Sequence, residues 1–278
     1  MYFVLAKRIL TAVIGISIAF YIINYGQWLF VVTVSILAMI AWRELCNMFQ
    51  NKQIRVWYSW GIIGILFLLG CAWLGSSQEI IAILFLIMIA ILVKIVITNN
   101  NFTMNDAAFT LTGLFYIGLT FAHLILLRFT DNTLFFSIYS KTLPAGAIYV
   151  WLALIGTWAN DTFAFFVGSH LGRHKLSPAI SPGKTIEGFI GGLLGSVAIL
   201  AALGIFLKLS LVHFINIGVL VGITAPLGDL VESALKRFAG VKDSGSLLPG
   251  HGGVLDRFDS IMFSVPAVYY YLQAFVLR

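Results

Sequence analysis

Residues 9–42 read ILTAVIGISIAFYIINYGQWLFVVTVSILAMIAW and contain no charged side chain. A helix that crosses the hydrocarbon core of a bilayer needs roughly 20 consecutive apolar residues. Thirty-four uncharged positions are too many for one crossing. The polar and Gly-containing break Asn24-Tyr25-Gly26-Gln27 divides the run into two helices joined by a tight turn. This reading sets the fold class, because the rest of the chain repeats the pattern.

Outward from that stretch, uncharged or nearly uncharged runs continue to the C-terminus. They cover Val56–Gln78, Ile80–Thr98 with Lys94 near its end, Ala107–Leu127, Thr142 to about Gly168, and Gly188–Leu207. An eighth begins at Leu209 and continues past Pro226 into Asp229 and Glu232, and a ninth covers Ser260–Leu277. Lys94 is placed to snorkel to the interface. None of the runs alternates in polarity, which excludes a spanning barrel. The expected fold is all-α: a polytopic integral membrane protein of about nine transmembrane helices, forming a single membrane domain over 1–278. Lys7-Arg8 before the first apolar run imitates a signal peptide, but no small-residue cleavage site follows, so it reads as a retained helix.

Composition supports this. The chain is 60% hydrophobic and 10% charged, with a mean hydropathy of +0.99. Soluble domains carry about 25% charged residues, so this sequence cannot supply a water-facing surface of the usual kind. Cys46 and Cys71 show neither metal spacing nor a redox motif. Thirteen Lys and Arg fall on alternate segments from the N-terminus, from Lys7 to Arg257, against four on the other side: Arg128, Lys141, Lys208 and Arg278. The positive-inside rule puts the N-terminus in the cytoplasm and the C-terminus outside.

Seven of the eleven acidic residues lie at or after Asp161. Residues 1–140 therefore read mainly as scaffold, and chemistry is expected within 158–260. No internal repeat of the kind seen in many transporters is visible.

Three clusters stand out. Asp229 and Glu232 lie three apart, on one helical face, close to Lys236 and Arg237. An acidic pair near membrane depth needs a partner or a wet cavity; a simple interfacial ion-pair cluster is the bland alternative. Next, Lys242-Asp243-Ser244-Gly245, Pro249-Gly250-His251-Gly252-Gly253 and Asp256-Arg257-Phe258-Asp259 form a Gly-rich basic segment ending in a second acidic pair. Its backbone N–H groups suit phosphate oxygens. Two acidic pairs framing such a loop can hold a divalent cation through hard oxygen ligands. The alternative is a cytoplasmic loop with acidic helix caps. Third, Asn160-Asp161 is followed by Ser181-Pro182-Gly183-Lys184-Thr185. Gly-Lys-Thr suggests a Walker A motif, but that needs Gly five positions before Gly183, where this chain has Pro178. What remains is a basic helix N-terminus suited to anions, or an anchor for lipid headgroups. His123, His170 and His213 stand alone and read as satisfied interfacial residues; His251, flanked by glycines, does not.

Residues 233–259 read SALKRFAGVKDSGSLLPGHGGVLDRFD. This resembles the signature of the phosphatidate cytidylyltransferase (CDP-diacylglycerol synthase) family: Ser, then Lys-Arg, Lys-Asp, a Gly-containing stretch to His-Gly-Gly, and Asp-Arg-x-Asp. SPGKTIEG at 181–188 and the Asn160-Asp161 segment are similar to the family too, although Gly183 stands where many members have a second Lys. The resemblance is firm from Trp158 to Asp259 and rests on hydropathy elsewhere. It implies transfer of the cytidylyl group of CTP to phosphatidic acid in phospholipid biosynthesis. It also implies dependence on Mg²⁺, with a second metal ion left open.

In residue terms, the resemblance implies Asp229 and Asp256 as metal ligands, with Asp259 and Glu232 as further ligands or orienting groups. Lys184, Lys236, Arg237, Lys242, Asp243, His251 and Arg257 are implied as catalytic. Asn160, Asp161, Ser181, Thr185, Gly252 and Gly253 are implied as substrate-binding. The expected partners are CTP, phosphatidic acid and membrane lipids, with no nucleic acid; a homodimer is left open. The expected location is a bacterial inner membrane with the active site on the cytoplasmic side. Two rival readings are another lipid-directed nucleotidyltransferase and a transporter. A transporter would place ionisable groups at mid-membrane, whereas here they gather at one interface.

Overall fold

The computed structural model describes residues 2–98, 101–131, 134–138, 141–245 and 252–277, with the backbone alone for 2–12, 77, 137, 138 and 141. The chain resolves into two compact units. The first comprises Met1–Phe129 and Phe238–Arg257, the second Thr130–Arg237 and Phe258–Arg278.

The first unit opens with α1 (Tyr2–Tyr25) and α2 (Gln27–Gln50), followed by α3 (Tyr58–Leu74) and α4 (Ser77–Ile97). A continuous rod then runs through α5 (Met104–Gly113), a π-helical segment (Leu114–Leu119) and α6 (Thr120–Arg128). The expected break in residues 9–42 is present as a turn at Gly26, whose φ of 66° suits glycine. Arg128 locks this turn: its Nε donates to the Ile23 carbonyl at 2.6 Å and a terminal nitrogen to that of Asn24 at 3.3 Å. Arg128 is buried, its guanidinium taken up by these helix-end carbonyls. Trp42 and Phe49 of α2 are fully buried. Trp42 donates to the Tyr58 carbonyl at 3.0 Å, and Phe49 and Phe109 pack with Phe238. Thr103 and Asp106 form a capping box at the start of α5. Lys94 lies 3.8 Å from the Trp57 ring centroid, over the ring face.

The second unit contains a hairpin of β1 (Phe135–Ile138) and β2 (Lys141–Pro144), then α7 (Ala145–Leu171). A second hairpin, β3 (Lys175–Ser177) and β4 (Ser181–Thr185), leads into α8 (Ile186–Phe206). The 29-residue α9 (Leu211–Ala239) and α10 (Leu255–Phe275) complete the elements. Glycines of α8 let α7 approach closely. A Cβ at Gly195 would come within 2.4 Å of Phe163, and one at Gly192 within 2.9 Å of Asn160. Small residues at such spacing are the usual means of packing helices tightly in lipid.

Counting the α5–α6 rod once, the described residues form nine helical rods. Six are long and apolar enough to cross a membrane: Gln27–Gln50, Gln78–Ile97, Met104–Arg128, Ala145–Leu171, Ile186–Phe206 and Leu211–Ala239. Val13–Tyr25 and Tyr58–Leu74 are apolar but shorter. The all-α membrane class therefore holds, while length and hydropathy alone do not establish nine crossings. Large apolar side chains lie on the outside, with Val96 77% and Leu74 76% exposed. That is the pattern of a surface solvated by lipid.

Candidate active site

In the second unit a cavity of about 370 Å³ is lined by Asn160, Asp161, Lys184, Thr185 and Asp229, among others. Three elements bring them together. Asn160 and Asp161 lie on α7, Lys184 and Thr185 end β4, and Asp229 lies on α9. The Lys184 segment is thus the second strand of a hairpin that leads directly into the N-terminus of α8. Thr185 ends the strand and caps α8, its hydroxyl accepting from the Gly188 N–H at 3.1 Å. Asn160 is buried and donates to the Gly222 carbonyl at 3.3 Å, tying α7 to α9. Ser181 sits across the hairpin from Ser177 and does not line the cavity.

Lys184 Nζ lies 2.8 Å from Asp229 Oδ2. Both side chains are partly open, at 23% and 35% exposure, so the pair can exchange partners with an incoming anion and cation. Asp259 lies just ahead of the apolar run that starts at Ser260. Burial pushes its carboxyl up to about 7, and the neighbouring Asp229 carboxylate adds to the effect. Gly228 meets the Asp259 backbone, where a Cβ would come within 2.4 Å of the carbonyl, so α9 and α10 touch at this level. One turn further along α9, Glu232 is fully buried and ion-paired with Lys236. Glu232 does not line the cavity. Arg237 reaches back to the β3–β4 turn, its Nε donating to the Ile180 carbonyl at 3.3 Å.

In the first unit, Lys242, Asp243 and Arg257 are exposed. Asp256 Oδ2 accepts from the Ser244 N–H at 3.0 Å, the Ser244 hydroxyl at 2.9 Å and the Gly253 N–H at 2.8 Å. Gly252 adopts φ 83°. His251 lies outside the described residues. Glu44 is a residue that sequence reasoning passed over: it is buried on α2 and accepts from the Val254 and Leu255 N–H groups, each at 3.0 Å. No motif marks it. The signal that could have found it is the cost of an acidic residue at the end of an apolar helix. Glu187 was passed over as well; it accepts from the Arg173 and His174 N–H groups and so holds the turn after α7.

The donor set can be tested against Mg²⁺. Among the described residues no group of three or more His, Cys, Asp or Glu forms a ready metal cage. Mg²⁺ usually takes one or two carboxylates and completes its shell with water and substrate phosphates. Asp229 beside the half-buried Asp259 fits that pattern, because a cation would offset both the desolvation and the Asp229 repulsion that raise the Asp259 carboxyl.

A family model described as the cytidylyltransferase family matches residues 6–275. The phosphatidate cytidylyltransferase of Staphylococcus aureus (strain COL) is 38% identical over 267 residues, covering 93% of this chain and 95% of its own. That of Staphylococcus saprophyticus is 36% identical over the same length. The phosphatidate cytidylyltransferase of Bacillus subtilis (strain 168) is 34% identical over 278 residues, covering 97% of this chain and 98% of its own.

Proposed function

The chain belongs to the cytidylyltransferase family, and from that premise we propose how its residues share the work of making CDP-diacylglycerol. The activity is CTP-dependent: the cytidylyl group passes to phosphatidic acid, and pyrophosphate leaves. The observation that carries it is similarity to phosphatidate cytidylyltransferases over nearly the whole chain.

A phosphate oxygen of phosphatidate attacks the α-phosphorus of CTP, and the bond to the bridging oxygen of pyrophosphate breaks. Nucleophile and target are both anions, so neutralising and aligning them is the main demand on the protein. Lys184 meets a substrate phosphate from the cavity wall, leaving Asp229 for a cation. Asp229 and Asp259 would hold Mg²⁺ in the second unit, and in the first Asp256 would offer Mg²⁺ a carboxylate. When bound, Mg²⁺ would supply charge neutralisation on the phosphate oxygens. Lys242 and Arg257 are exposed and supply positive charge toward incoming phosphates. Lys236 keeps Glu232 neutralised inside the helix packing, which makes that pair a support and not a contact for substrate. Phosphatidate is already anionic near neutral pH, so no side chain is required as general base. The reading also places these groups at the cytoplasmic side of a bacterial inner membrane, supported by the distribution of Lys and Arg.

The experiment is direct. Purified protein in detergent, supplied with Mg²⁺, labelled CTP and phosphatidic acid, should form a labelled lipid and release pyrophosphate. No labelled lipid from protein that is folded by thermal unfolding would overturn the proposal.

A further inference from the structure

We infer that Glu44 is a positioning residue for the reaction, holding the start of α10 and, through Ser244, the carboxylate of Asp256. The inference rests on the reading that Asp256 serves the reaction, and deepens it. Glu44 is 6% exposed. Among the described residues no Lys or Arg forms an ion pair with it. A buried carboxylate in that position is stable only if its oxygens are saturated by donors. Here the donors are the Val254 and Leu255 N–H groups, at 3.0 Å each, and the Ser244 hydroxyl at 3.3 Å. Two of these are orphan N–H groups at the beginning of a helix, where a negative charge is favoured.

Ser244 links the two carboxylates. Its hydroxyl lies 3.3 Å from Glu44 Oε2 and 2.9 Å from Asp256 Oδ2, and its N–H donates to the same Asp256 oxygen. A hydroxyl has one proton, so the two acceptors share or compete for it. The spacing leaves no room for side chains. A Cβ at Gly253 would come within 2.4 Å of the Ser244 hydroxyl oxygen and 2.6 Å of both Glu44 oxygens. One at Gly245 would come within 2.6 Å of Glu44 Oε1. Glu44 is therefore the anchor around which residues 244, 245 and 253–256 are folded. Those residues fix the orientation of Asp256.

Glu44→Gln tests this. The amide keeps the size but turns one acceptor into a donor facing a backbone N–H. Groups that orient ligating residues typically change affinity or activity 10–100-fold. Expected is a fall in kcat of at least tenfold and a higher Mg²⁺ concentration for half-activity, with KM for phosphatidate unchanged. Metal-free protein should also show faster amide hydrogen exchange at residues 253–256. Ser244→Ala should shift the Mg²⁺ dependence in the same direction by less, and the double variant should fall short of the product of the two. It also keeps the test open should Glu44→Gln not fold. Wild-type exchange and Mg²⁺ dependence in Glu44→Gln, or in Ser244→Ala if only that variant folds, would overturn the inference. Asp256→Asn separates the two claims: full turnover there would sink the role of Asp256, while the exchange data report the hold of Glu44 independently.

Discussion

Two Lys–carboxylate pairs lie within one turn of each other along α9, and they differ in almost every property that matters. Asp229 meets Lys184 on a cavity wall, with both side chains partly open. Glu232 meets Lys236 with no exposed surface of its own. The Asp229 pair is the easier to separate: Lys184 Nζ is shielded from solvent, but Asp229 is 35% exposed on the cavity wall and can be hydrated when its partner leaves. The closed pair is held by its own desolvation: removing one partner strands a charge. Charge type alone says nothing about role; access does. A contrast of access also appears in the first unit, where Glu44 is buried and Asp256 half-buried, although backbone N–H groups donate to both.

The sharpest way to break this comparison is Lys184→Ala. Turnover of CTP and phosphatidate should fall by two orders of magnitude or more, on the scale of losing a group that stabilises transferring phosphate. The unfolding temperature should barely move, because the Asp229 carboxylate left behind opens onto the cavity and can be hydrated. Unchanged kinetics for both substrates would return Lys184 to lipid anchoring. Next comes Glu232→Gln, with the opposite signature. Leaving Lys236 without its buried partner should cost roughly 3–5 kcal/mol of stability, while the fraction that stays folded turns over within a few-fold of wild type. Chemical inactivation without loss of stability would show that Glu232 works at the substrate.

A smaller effect sharpens the picture at Asp259. Its folded carboxyl titrates at about 7, against an ordinary value of 3.8. The folded protein therefore holds a proton that the unfolded chain releases, and stability falls as pH rises through that interval. In metal-free protein, Asp259→Asn should unfold a few degrees higher than wild type at pH 8, with the advantage gone near pH 4. Equal unfolding temperatures across the range would remove the case for a strained carboxylate beside Asp229.

Much of the fold is legible in the sequence, because hydropathy reports which solvent a segment meets. All nine apolar runs coincide with helical rods, and the turn at Gly26 falls where Asn24–Gln27 interrupts the first run. Boundaries differ where polar residues extend or replace a helix. Thr142 belongs to β2, and α10 starts at Leu255, five residues before its apolar run. The site is legible only in part. Asn160, Asp161, Lys184, Thr185 and Asp229, drawn from two of the sequence clusters, line one cavity. The separation of Asp229 from Glu232 was not legible: residues three apart share a helical face, and only tertiary packing decides which faces a void. Glu44 was invisible for a related reason. Its partners are backbone N–H groups about 210 residues away in sequence, and such donors leave no mark in residue type.

Asp229→Asn bears most directly on the central claim, that the open carboxylate of α9 is the working one. Turnover should be measured across a Mg²⁺ titration beside thermal unfolding. The substitution keeps size and hydrogen bonding but removes the charge a hard cation needs. The account predicts a loss of orders of magnitude in kcat, partly recovered at high Mg²⁺, with the unfolding temperature close to wild type. Near-normal turnover with an unchanged Mg²⁺ dependence would contradict it.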